Sequence, residues 1–139
     1  MKLPPPSPLS CLALAGALLA GAPASAATAV IVSPKSAATH MMSQQAAQIF
    51  LGKSTQMTPI DLADNSSTRN DFYQKIAGKD QDQVKAIWSK IVFTGRGFPP
   101  REYNTSAEVK KAVAGDAGAI GYIDKAAVDD TVRVILILQ

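Results

Sequence analysis

Cysteine is almost missing from this sequence: one in 139 residues, and that one, Cys11, lies in an apolar segment near the amino terminus. A disulfide framework and a thiolate metal site are thereby excluded, so packing must hold the fold. Histidine is as scarce. His40 stands alone with no cysteine or close carboxylate cluster beside it, which leaves a metal centre short of ligands and any serine nucleophile short of a base. It reads as a solvated residue at a helix start. Charge is thin too: 14 Lys and Arg against 11 Asp and Glu, scattered singly. That balance is too weak and too mixed for a nucleic-acid surface.

Nor does any apolar run reach the ~20 residues of a membrane-spanning helix. The longest, Leu9 to Ala22, is broken by Ser10, Cys11 and two glycines; it follows Lys2 and precedes Ala24-Ser25-Ala26. A small positive start, an apolar stretch and small residues at a cleavage point read as an export signal over residues 1–26. The expectation is a secreted mature chain, residues 27–139, with no stable membrane insertion. That length suits a single domain with a core of its own.

Along the mature chain the apolar period alternates. Ala29 to Val32 reads as a buried strand ended by Ser33-Pro34. Met42, Ala46, Ile49 and Phe50 then fall at helical offsets, with Thr39 or Ser43 available as a cap and Gly52 as the stop. Met57 to Leu62 reads as a strand, although Pro59 argues for an edge position or a late start. Thr68 to Ala77 carries Phe72 and Ile76 on one helical face. Asp80 can cap the next helix, where Val84, Ile87, Trp88 and Ile91 make the strongest apolar stripe in the chain. That stripe makes Trp88 core. The loop Thr94 to Pro100 follows, its Gly95-Arg96-Gly97 a turn exposing Arg96, since it lacks the lysine and the strand-to-helix setting of a phosphate loop. A short strand at Arg101 to Tyr103, a helix from Ser106 to near Gly115, and strands at Ala119 to Ile123 and Thr131 to Leu138 complete the pattern, with Asp129-Asp130 as a turn. The last strand is apolar enough that both faces should meet protein. Strands interleaved with helices predict an α/β domain: a mostly parallel sheet flanked by helices, with room for an antiparallel edge.

Three segments in order then carry a resemblance. Ile49-Phe50-Leu51-Gly52-Lys53, the polar turn Asp64 to Thr68 opening a helix, and Gly118-Ala119-Ile120-Gly121-Tyr122 resemble the substrate-binding proteins of phosphate ABC transporters. The resemblance runs from about Ala29 to Asp124 and covers one lobe. It implies a single-lobe periplasmic-binding-protein-like domain of the type II fold, located in the periplasm, and an oxyanion ligand such as inorganic phosphate. The family's binding motif in this lobe is arginine, any residue, aspartate, any residue, then serine, glycine and threonine at a helix start. Here those positions read Leu62, Ala63, Asp64, Asn65, Ser66, Ser67 and Thr68. Asp64, Ser66 and Thr68 match, Ser67 takes the glycine place, and Leu62 stands where the arginine belongs. A leucine cannot supply the two parallel charge-assisted bonds that a guanidinium gives an oxyanion. Arg69 is the nearby alternative, with Asp71 opposing an anion two residues later.

The candidate ligand residues are therefore Asp64, Ser66, Ser67, Thr68 and Arg69, and Ser66 or Ser67 also reads simply as the cap of a helix starting near Thr68. No enzyme constellation and no cofactor motif accompany them. Two function classes follow. One is a solute-binding module that offers this turn to an oxyanion; the other is a docking protein that keeps the lobe as a scaffold and meets a protein partner, or a second copy as a homodimer, through the former interlobe face.

Overall fold

The computed structural model describes residues 2–4 and 26–139. The export signal expected over residues 1–26 thus lies almost wholly outside the described residues. From Thr28 onward the elements are β1 (Thr28–Val32), α1 (Ser43–Phe50), β2 (Thr58–Leu62), α2 (Ser67–Ala77), α3 (Gln81–Phe93), β3 (Arg101–Tyr103), α4 (Ser106–Ala114), β4 (Ala119–Asp124) and β5 (Arg133–Leu138), with a 3-10 turn at Lys125–Ala127. The α/β class expected from the alternating periods stands.

The sheet order is β3-β2-β4-β1-β5. Its β3-β2-β4 half is parallel and its β4-β1-β5 half antiparallel, so the antiparallel share exceeds a single edge. β1 lies between β4 and β5, and every one of its residues is buried. This central place explains the unbroken apolar run, which a half-solvated strand would not need. β5 departs from expectation. It is an outer strand, and only Ile135 and Leu138 of it are buried. Its carbonyl at Ile135 accepts from the Met41 N–H, and the Arg133 guanidinium donates to the Pro34, Ser36 and Ala38 carbonyls. The 34–41 segment thus covers part of an edge that would otherwise offer free backbone groups.

Side-chain caps set most helix starts. Ser66 Oγ accepts from the Arg69 N–H at α2, Asp80 and Gln83 bond reciprocally at α3, and Thr105 accepts from Glu108 at α4. Each such cap contributes about 1 kcal/mol. At α1 neither Thr39 nor Ser43 caps: Met42 is the cap residue, and Gln45 reaches back to accept its N–H at 2.9 Å. α2 ends on Gly78, in the left-handed conformation.

Helices cover both sides of the sheet, as two neighbouring residues of β4 show. An added Cβ at Gly121 would meet Val113 Cγ2 at 2.8 Å and Val109 Cγ1 at 3.0 Å, so α4 lies directly on that face. Tyr122 points the other way, stacked on Phe72 of α2 with centroids 3.8 Å apart. Phe50 and Tyr73 close edge-on around this pair. All four rings are fully buried, and burying each contributes roughly 1.5–3 kcal/mol. Trp88 joins α3 to the same core. Its indole N–H donates to the Phe50 carbonyl at 3.0 Å, and the residue is buried as its stripe required.

Candidate functional site

The polar turn after β2 sits beside a buried charge cluster that the sequence motifs did not announce. Asp61 lies in β2 between Ile60 and Leu62. Because side chains alternate along a strand, its carboxylate faces the side opposite those two. There Tyr73 of α2 donates to Oδ2 at 2.6 Å, Tyr122 of β4 donates to Oδ1, and the Leu62 N–H donates to Oδ1 at 2.9 Å. The Asp61 residue is only 2% exposed.

Arg69 comes to the cluster from the first turn of α2. Its Nη1 donates to the Leu62 carbonyl at 2.9 Å and to Glu102 Oε1 at 2.8 Å, and lies 3.9 Å from Asp61 Oδ2. The guanidinium also sits 5.7 Å from the centre of the Tyr73 ring. Two carboxylates therefore neutralise one buried cation. Burial raises the Asp61 carboxyl above the usual carboxylate range, and Arg69 with the two phenols offsets part of that rise. Burial also pushes the Tyr73 and Tyr122 phenols well up, and the Asp61 charge adds to it. For Arg69, burial lowers the proton affinity, but Asp61 and Glu102 outweigh it, leaving the guanidinium held above its ordinary value. Phenols so held keep their protons near neutrality and donate them to the Asp61 carboxylate.

The five residues expected to hold a ligand are placed as follows. Ser66 caps α2 with its Oγ, and its own N–H donates to the Ala63 carbonyl. Ser67 and Thr68 form the first turn of α2, Ser67 exposed and Thr68 half-buried. Among the described residues no acceptor meets the Ser67 or Thr68 backbone N–H. Asp64 is exposed on the turn. Arg69 is the departure from expectation: only 7% exposed, it spends its hydrogen bonds on the Leu62 carbonyl and Glu102. One pattern in the sequence would have revealed this. Arg69, Phe72, Tyr73 and Ile76 fall at i, i+3, i+4 and i+7 on one helical face, and all four are buried.

Asp64 and Arg69 also line a groove of about 570 Å³ between α3, the β2–α2 turn and the segment before β3. Ser66, Ser67 and Thr68 are not part of its lining. Its charged residues are Asp61, Asp64, Asp82 and Glu102 against Arg69 and Lys85. The negative sign prevails, which disfavours an anion inside the groove. Trp88, Val92, Phe93, Pro99 and Pro100 form its apolar wall. Phe93 is 92% exposed and Phe98, on the adjoining loop, 86%.

Other singled-out residues lie elsewhere. His40 is exposed ahead of α1, Arg96 is exposed after α3, and Asp129 holds Lys110 at 2.7 Å in the turn before β5. Among the described residues no group of three or more His, Cys, Asp or Glu side chains gathers to hold a metal. No helix among them is long and apolar enough to cross a membrane.

Sequence comparison with family models and with curated proteins finds no match. Solved structures do match. A candidate phosphate ABC transporter substrate-binding protein from Clostridium perfringens, solved with bound phosphate, superposes with a TM-score of 0.64 at 22% identity. An ABC-type phosphate transport receptor from Vibrio cholerae gives 0.62 at 19%, and PstS from Borrelia burgdorferi 0.60 at 14%. Each alignment covers 79% of this chain but only 45%, 46% and 47% of those chains. The chain therefore has the fold of part of these phosphate-transport proteins and spans less than half their length.

Proposed function

We propose that this protein is an exported, solute-binding-like domain that takes an oxyanion of the phosphate class weakly, at the amino terminus of α2. One observation carries the reading: in a fold shared with phosphate-transport proteins, the Ser67 and Thr68 N–H groups point out of a helix start with no acceptor. The Ser67 and Thr68 hydroxyls stand beside them, while Ser66 holds the turn in shape. A helix amino terminus stabilises an anion by about 0.3–1 kcal/mol when exposed and about 2 when partly buried. A hydrogen bond to a charged group contributes about 1.5–3 kcal/mol more. The sum, about 4–5 kcal/mol at best, corresponds to a Kd of about 1 mM, far from the ~8 kcal/mol of micromolar capture. Arg69 does not add to it, because Asp61 and Glu102 already compensate its charge. Tighter capture requires a second surface to close over the site.

Titration with phosphate and sulfate, followed by the backbone amide shifts of Ser67 and Thr68, tests this. Saturating shifts at millimolar phosphate, abolished by Thr68→Val, are expected; an absence of shifts at these two amides sinks the reading.

The exposed Val92, Phe93 and Phe98 side chains favour a second reading, a docking protein. Large apolar side chains clustered in water usually mark an interface. In that case the lobe serves as a scaffold and the groove beside α3 receives a protein.

A further inference from the structure

The groove beside α3 states what would fill it. Its rim is acidic on balance, with Asp64, Asp82 and Glu102 against Lys85, and its wall is apolar through Trp88, Val92 and Phe93. Its Arg69 is already engaged, with Nη1 donating to the Leu62 carbonyl and to Glu102. A complementary occupant brings a cation for the rim and a large apolar side chain for the wall. Free phosphate brings neither.

One segment of this same chain has that chemistry. The loop from Gly95 to Pro100 leaves the end of α3 and presents Arg96 and Phe98 two residues apart, both exposed. Phe98 lies in water at 86% exposure, and among the described residues the Arg96 side chain makes one long hydrogen bond, from its Nε to Thr94 Oγ1 at 3.3 Å. The loop borders the groove, since Pro99 and Pro100 line the groove's own wall. Arg101, just beyond, adds a second exposed cation on the loop's far side. Acidic groove and basic, apolar loop are thus adjacent parts of one patch. A patch that carries both a shape and its complement side by side can meet itself across a two-fold axis, each loop entering the other's groove.

We infer that the protein forms an isologous homodimer in which the Arg96–Phe98 loop of each copy occupies the acidic, apolar groove between α3 and the β2–α2 turn of the other. This inference rests on the docking reading and names its partner. In the dimer Arg96 faces Asp82 and Asp64, Phe98 covers Val92 and Trp88, and Phe93 leaves water.

Sedimentation velocity on the mature chain across a concentration series measures the association. The wild type is expected to dimerise, and Arg96→Glu or Asp82→Lys to weaken the dimer by about tenfold or more, because like charges then meet in the groove. The two variants mixed in equal amounts should recover association as a mixed dimer, which a merely misfolded variant could not do. A wild type that stays monomeric, or variants that dimerise as well as wild type, overturns the inference. The dye ANS separates this failure from that of the docking reading. A monomer that binds ANS through Phe93 and Phe98, as their double replacement by Ser would show, ends self-association and leaves docking intact; a monomer that binds none ends both.

Discussion

Replacing Arg69 with Met removes the cation from the buried cluster and tests whether that cluster holds the fold. Methionine keeps the length of the aliphatic stem against Tyr73 but withdraws the bonds to the Leu62 carbonyl and to Glu102 and the 3.9 Å pairing with Asp61. These losses differ in weight. Glu102 is half-exposed, with a side chain at 49%, so water replaces its partner and the pair counts for about 0–1 kcal/mol. Asp61 is buried and cannot recruit water, and stranding a buried charge costs about 3–5 kcal/mol. That is a large part of the ~5–15 kcal/mol available to a domain of this size. The sign with pH follows from the raised carboxyl. A carboxyl with a folded pKa above its unfolded one binds more protons when folded, so stability falls as pH rises from the unfolded value to the folded one. Without Arg69 that folded value climbs further and the window extends upward. Urea unfolding of wild type and Arg69→Met at matched pH values should therefore show a difference of about 3–5 kcal/mol near neutrality. The difference should shrink by up to ~1.4 kcal/mol per pH unit on acidification within the window. Asp61→Asn combined with Arg69→Met should recover much of the loss, which guards against a single variant that fails to fold. A difference below about 1 kcal/mol, or one that stays flat from acid to neutral pH, refutes the reasoning.

Two smaller changes check neighbouring claims. Gly121→Ala drives a methyl group to within 2.8 Å of Val113 and 3.0 Å of Val109; with stiff branched side chains in the way, thermal unfolding should show a loss of about 1–3 kcal/mol. An unchanged melting temperature would mean that α4 is not pressed on β4. Ser66→Ala should cost about 1 kcal/mol through the lost cap to the Arg69 N–H, measured in urea with and without phosphate, and the loss should be the same in both. A loss that grows in phosphate would make Ser66 a ligand as well as a cap.

What the sequence made legible is what local periodicity encodes. The stripe Val84, Ile87, Trp88 and Ile91 placed α3, the cap at Asp80 placed its start, Ser66 proved to be the cap of the two serines open for α2, and the short strand Arg101 to Tyr103 follows its loop as expected. The candidate turn was found as well, because hydroxyl residues ahead of a helix pattern are a local signal. Long-range partners left no such trace. Asp61 is one polar residue in an apolar strand, and its donors Tyr73 and Tyr122 stand 12 and 61 residues away and meet it only once α2 and β4 lie on β2. The share of antiparallel pairing was hidden for the same reason, since nothing in the Val30 neighbourhood says whether β4 and β5 run with β1 or against it. Thr131 to Leu138 misled through composition: an apolar strand fits the middle of a sheet or an outer strand partly covered by a loop, and β5 is the second.

The fate of Arg69 links stability to function. A motif that lacks its arginine at Leu62 invites the nearest arginine to take its place, and Arg69 sits one helical turn inside the candidate turn. Helix geometry decides otherwise, because the spacing that puts Phe72, Tyr73 and Ile76 into the core puts Arg69 there with them. Once inside, the side chain must be neutralised, and Asp61 with Glu102 does so at distances of 3.9 and 2.8 Å. An anion brought to the same guanidinium would be a third negative charge around one positive one. The arginine is thereby taken up by the fold, and under the proposed reading a ligand is left with the weaker field of two backbone amides at the start of α2. Affinity beyond that must come from another surface closing over the start of α2, because the groove beside α3 does not include Ser66, Ser67 or Thr68.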